Sequence, residues 1–133
     1  MKNTDLLHKD ITDDILKAFY HTYNTLGYGF LEKVYENSLS HILRQLNHAV
    51  KQQYPVTVYF EGIIVGEYFA DVLVDDKVIV EIKAAEGIAK EYEAQLLNYL
   101  RATDIEVGLL LNFGKKPEFR RKVYSNERKI ERG

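Results

Sequence analysis

The order in which the hydrophobic period changes along this chain predicts an α/β domain built on a mixed β-sheet. Two segments with helical spacing come first, and three β-branched and aromatic runs follow. One more helix-spaced segment then precedes a continuous apolar run suited to a buried strand. No repeat, low-complexity tract or linker divides the 133 residues, so 1–133 is predicted to form a single domain.

Asp10 or Thr12 can cap a first helix through about Asn24, where Ile15, Leu16, Phe19 and Tyr23 keep near-helical spacing until Gly27-Tyr28-Gly29 interrupts it. A second helix is predicted from about Phe30 to Asn47, with Leu31, Val34, Tyr35, Leu39, Ile42, Leu43 and Leu46 on one face. Strands are predicted at Tyr54 to Phe60 and at Ile63 to Val74, turned by Glu61-Gly62, and at Val78 to Lys83. A helix from about Ala89 to Leu100 carries Tyr92, Leu96 and Leu100 inward. A buried strand is predicted at Val107 to Phe113, and a further strand can lie near Phe119 to Tyr124.

The absence of cysteine excludes disulfides, thiolate metal sites and a cysteine nucleophile. The start, Met1-Lys2-Asn3-Thr4-Asp5, lacks the apolar core of a signal peptide, and no apolar stretch approaches membrane-spanning length, so a cytoplasmic protein with no membrane partner is expected. Residues 115–133 hold eight Lys/Arg against three Glu, or +5 in a chain of net charge −2, so a basic tail follows an acidic body of −7. Such a tail is either a solvated terminus or a contact for phosphates. His8, His21, His41 and His48 have no metal-ligand spacing. No dinucleotide fingerprint, phosphate-binding loop or nucleophile-elbow serine is present.

Hairpin register decides whether carboxylates converge. A two-residue loop at Asp75-Asp76 would pair Asp71 with Val80 and bury a lone carboxylate among Val78, Val80 and Ile82, which costs several kcal/mol. A three-residue loop, Asp75-Asp76-Lys77, pairs Asp71 with Glu81 instead. It sorts Ala70, Val72, Val74, Val78, Val80 and Ile82 onto one apolar face, and Phe69, Asp71, Leu73, Ile79, Glu81 and Lys83 onto the other. The loop has no glycine for its left-handed position. Facing carboxylates repel unless a cation lies between them, and Mg2+ (or Mn2+) suits hard oxygen donors that leave room for water and phosphate. Lys83 beside such an ion can orient or deprotonate a water, or stabilise charge on phosphate. An acid-x-Lys triplet alone is also a common exposed salt bridge, and Asp75-Asp76-Lys77 and Glu127-Arg128-Lys129 repeat it in a turn and in the tail.

Gly29-Phe30-Leu31-Glu32-Lys33-Val34-Tyr35 fits the pattern G-x-x-E-x-x-Y. With Asp71, Glu81-Ile82-Lys83, Gln95-Leu96-Leu97-Asn98-Tyr99 and Gly108 to Gly114, the chain is similar over nearly its whole length to the GxxExxY family of the PD-(D/E)XK nuclease-like superfamily. The resemblance implies a restriction-endonuclease-like three-layer core, a mixed β-sheet flanked by helices. It also implies a metal role for Glu32 and substrate contacts for Gln95 and Tyr99. Two positions depart from the pattern: Ala70 replaces the proline before Asp71, and Tyr92 stands where relatives often have histidine. Without the resemblance, Tyr35 and Tyr99 read as core aromatics, Glu32 as a first-turn charge and Gln95 as a surface amide.

The resulting expectation is a Mg2+-dependent nuclease acting on DNA, or on RNA. Asp71, Glu81, the Ile82 carbonyl and Glu32 would serve the metal, and Lys83 would assist the water. Gln95, Tyr99, Arg120, Arg121 and Lys122 would contact nucleic acid. A non-catalytic nucleic-acid-binding module and an interaction protein are the alternatives, and a homo-oligomer is open to any of the three.

Overall fold

The structure, a computed structural model, describes residues 7–129. The expected leader-free start at 1–5 and the last residues of the basic tail lie outside them. The elements are α1 (Lys9–Leu26), α2 (Glu32–Gln45), β1 (Val50–Phe60), β2 (Ile63–Val74), β3 (Val78–Lys83), α3 (Lys90–Ala102), β4 (Val107–Phe113) and β5 (Pro117–Val123), followed by a short 3-10 turn. The five strands form one mixed sheet in chain order. β3 and β4 are parallel and joined through α3, while the other neighbours are antiparallel.

Two cores sandwich the sheet. Ile15, Phe19, Tyr35, Leu39 and Leu43 of α1 and α2 pack with Val72, Val80, Ile82, Leu109 and Leu111. Leu96, Tyr99 and Leu100 of α3 pack on the other side with Val56, Ala70, Leu73, Ile79 and Leu110. β4 is buried throughout because both of its faces are covered, and its alternate residues supply different cores. Within the described residues, no helix is long and apolar enough to cross a membrane.

The element order is as expected, but several ends differ for local reasons. Asp10 and Thr12 lie inside α1, where the Thr12 hydroxyl donates back to the Lys9 carbonyl at 3.1 Å; His8, at φ 56°, occupies the cap position. α2 begins at Glu32 because Leu31 is extended, and it ends before Asn47, which takes a left-handed turn. β1 starts at Val50, four residues earlier than predicted, because it pairs with the whole of β2 as far as Val74. Residues 117–123 of the predicted tail are an edge strand.

The β2–β3 register, Val72↔Val80, Leu73↔Ile79 and Val74↔Val78, is that of the three-residue loop. Asp75 and Asp76 supply the left-handed positions themselves, at φ 53° and 54°, a conformation that short polar side chains tolerate. Two assignments are corrected: Ala70 belongs to the α3 core, not to the face of Val72, and Phe69 beside it turns away from the face of Leu73 and Ile79. The change of face lies between Ala70 and Val72, and β1 changes face at the same level. Val50 packs on the α1/α2 side, Tyr54 and Val56 pack on the α3 side, and Gln53 between them is left-handed at φ 55°. A kink shared by two paired strands defeats the strict alternation on which the prediction rested.

The Asp75 loop is clasped to the rest of the molecule. Asp75 exchanges hydrogen bonds with Ala49, and His48 joins Asp75 at 2.5 Å through Nδ1 and Asp14 of α1 at 2.7 Å through Nε2. Burial opposes the imidazolium, but the two hydrogen bonds and carboxylate charges outweigh it and raise the His48 pKa above its usual 6.5. A raised histidine pKa contributes stability below about pH 6.5 that is lost as pH climbs through the folded value. Replacing His48→Asn is therefore expected to cost about 1 kcal/mol at pH 5.5. The cost should shrink by pH 9 in thermal unfolding of the two proteins; a pH-independent difference would refute the clasp.

Candidate active site

The backbone ladder between β2 and β3 stops at Val72↔Val80, and side chains take over one step further on. The Asp71 amide donates to Glu81 Oε2 at 2.7 Å, and the Ile82 amide donates to Asp71 Oδ2 at 2.8 Å. Each carboxylate thus satisfies the other strand's backbone, which fixes both and wedges the strands apart. Asp71 Oδ1 has Gln53 Nε2 at a long 3.4 Å.

Two further glutamates approach from α2. Glu32, at its first turn, accepts from the Ala84 amide at 3.3 Å. Glu36 is 3% exposed and receives Lys33 Nζ at 3.1 Å, Gln52 Nε2 at 2.7 Å and Gln53 Nε2 at 2.8 Å. The G-x-x-E-x-x-Y segment has a local logic. Gly29 takes φ 109°, a region closed to residues with a Cβ, and the Tyr35 hydroxyl donates to the Gly27 carbonyl and accepts from the Phe30 amide. The turn so buckled delivers Glu32 to the segment after β3. That segment is held in turn by Asn112, which bonds both the amide and the carbonyl of Ala85 at 2.9 and 3.0 Å. Gly114 allows this approach, since a Cβ there would lie 2.3 Å from the Ala85 carbonyl oxygen.

Lys83 and α3 close the opposite side. Lys83 Nζ lies 4.7 Å from the centre of the Tyr92 ring, a cation–π contact. Gln95 Nε2 donates to the Tyr99 hydroxyl at 2.8 Å. Tyr99 is both a core residue and a neighbour of the carboxylates: burial raises its pKa first, and the charges of Glu81 and Asp71 add to that.

Negative charge is under-compensated here. Burial, then the charge of Asp71, pushes the Glu81 carboxyl up to about 8. Asp71 is also raised, by burial and then by Glu36 and Glu32, against the hydrogen bonds from Ile82 and Gln53. Sites short of positive charge and lined with hard oxygen donors fit a divalent cation. Among the described residues no group of three His, Asp or Glu forms a ready cage.

Glu32, Asp71, Glu81, Lys83, Gln95 and Tyr99 are thus brought together. Arg120, Arg121 and Lys122 are not: they lie on edge strand β5, two strands from β3. Arg120 is level with Glu81 through Leu110, Lys122 pairs with Glu93 at 2.7 Å, and Arg121 bonds the Leu7 carbonyl. Sequence reasoning missed Glu36, Gln53 and Asn112. Glu36 left a signal, an acid four residues after Glu32 between the inward positions Tyr35 and Leu39. Asn112 left another, an amide inside an otherwise apolar strand. Gln53 left none.

A helix-joined parallel pair within a mixed sheet, with carboxylates where the strands part, defines a restriction-endonuclease-like α/β domain. The family model of the PD-(D/E)XK nuclease superfamily matches residues 9–122, and the chain belongs to that superfamily. No curated protein matches it significantly. Among solved structures, the crystal structure of SSO0001 shares the fold at TM-score 0.55 and 17% identity. The match covers 71% of this chain and 50% of that one, so this chain spans about half the length of its structural neighbour.

Two outcomes follow from the charge balance and the Asn112 bridge. A carboxyl whose pKa is raised on folding must keep a proton that the unfolded chain releases, so its penalty is absent below pH 4.5, grows with pH and is complete above about pH 8. Glu81→Gln, which can still accept from Asp71, is expected to raise the melting temperature in chelator by a margin that grows from pH 4.5 to 8. A margin flat in pH would contradict this. Asn112→Ala removes a buried amide that holds both backbone groups of half-buried Ala85 and is expected to cost about 2 kcal/mol in denaturant titration. A cost near zero would show that the Ala85 strap is held by other contacts.

Proposed function

We propose that this protein is a divalent-metal-dependent nuclease that hydrolyses phosphodiester bonds, with DNA preferred to RNA as substrate. The observation that carries the reading is the Asp71–Glu81 pair, two carboxylates locked by each other's strands and short of a cation. Membership of a nuclease superfamily supports it. Asp71, Glu81 and the Ile82 carbonyl would hold Mg2+ (or Mn2+), and Glu32, tied to the Ala84 amide, would complete or orient that shell. A cation held there supplies charge neutralisation for the attacking and departing oxygens.

The remaining steps belong to the protein. Hydrolysis adds water across one P–O ester bond. Lys83, steadied over Tyr92, holds the water or a phosphate oxygen in line and offsets the charge gathered on the phosphate. The Gln95–Tyr99 pair presents an amide and a phenol to the substrate strand. Arg120 offers a phosphate contact on the flank, while Arg121 and Lys122 would reach phosphate only by sharing their present partners.

The cation–π contact that holds the Lys83 ammonium over the Tyr92 ring favours a second reading, a module that binds nucleic acid without cutting it. Calorimetry with Mg2+ and Mn2+, with oligonucleotide present, separates the two when paired with a cleavage assay. For a nuclease, metal binding vanishes in Asp71→Asn. Cleavage falls at least 100-fold in both Asp71→Asn and Lys83→Ala, with circular dichroism unchanged. Oligonucleotide binding with no cleavage in either metal would leave the binding module.

A further inference from the structure

β2 pairs with β3 only as far as Val72, so beyond the carboxylates β1 and β2 continue alone as a two-stranded arm. The arm carries a row of exposed apolar and aromatic side chains, among them Tyr59, Phe60, Ile63, Val65 and Tyr68. Between the arm and α3 runs a groove of about 840 Å³. Tyr59 and Tyr68 stand on its arm wall, and Tyr92, Gln95, Asn98 and Tyr99 on its helix wall. Lys83 lies among its lining residues, so the groove reaches the lysine that stands two residues after Glu81. Tyr59 and Tyr68 are nearly half exposed, and the Tyr68 and Tyr99 rings lie 6.0 Å apart at 45°.

We propose that this groove takes the unpaired bases of a single nucleic-acid strand whose phosphate backbone passes the carboxylates. The inference rests on the reading of that site as a nucleic-acid site. Tyrosine rings attract the flat face of a base, which a duplex hides within its stack and only an unpaired nucleotide presents. The amides of Gln95 and Asn98 are donors and acceptors of the kind that meet base edges. The lining cations Lys83 and Arg101 exceed the single lining carboxylate, Glu91, and suit a polyanion better than an apolar protein segment. Tyrosine stacking is indifferent to base identity, so little sequence preference is expected.

The test is fluorescence anisotropy on the full chain, with calcium in place of magnesium, using labelled oligothymidylate, oligouridylate and a blunt duplex of equal length. At least one single strand should bind tenfold or more tightly than the duplex. Tyr68→Ala and Tyr59→Ala should each weaken that binding about tenfold while duplex binding and circular dichroism stay unchanged. Equal affinity for duplex and single strands, or single-strand binding indifferent to both tyrosines, overturns the groove. Those results leave the nuclease reading intact, because Asp71-dependent cleavage is scored separately. Tyrosine-dependent binding by a chain that cuts nothing supports the groove while removing the nuclease.

Discussion

The exchange between Asp71 and Glu81 is the constraint on which the rest of the site depends. A sheet that paired normally through this level would seal its backbone groups and leave no opening. Here two amides are satisfied by carboxylates reaching across from the facing strand, so the ladder ends without orphaned donors. The same bonds that let the strands part also fix both acids in place, which is the preorganisation a metal site requires.

Parting the strands has a consequence on each side. Toward α2, Glu36 gathers Lys33, Gln52 and Gln53, and Gln53 in its left-handed conformation reaches from Glu36 toward Asp71. The kink in β1 therefore serves the acidic cluster as well as the change of face. Toward α3, the freed length of β2 leaves the sheet with β1 as an arm and forms one wall of a groove that the helix completes. Site and groove arise from one interruption of pairing.

The electrostatics give the arrangement its chemical bias. Four carboxylates, Glu32, Glu36, Asp71 and Glu81, share a small region in which Lys83 and Lys33 are the nearby cations, and burial raises the cost of charge on Asp71 and Glu81. A fold selected for stability alone would not keep Glu81 at 4% exposure beside Asp71. The cost is understandable where a cation and a polyanionic substrate are to be received together.

The sequence by itself determined the element order, the hairpin register and the meeting of Asp71 with Glu81. Those follow from local period and from the cost of burying a lone charge, both of which are properties of short stretches. It also made Glu32, Lys83, Gln95 and Tyr99 legible through the spacing of motifs that resemble a known family. The tertiary structure alone decided the rest. The face of Ala70 depends on a kink shared by two strands, the roles of Glu36 and Asn112 on partners up to 27 residues away, and the separation of Arg120, Arg121 and Lys122 from the carboxylates on β5 being an edge strand. Contacts of this kind join positions that no single period relates, and so they appear only when the sheet has closed around them.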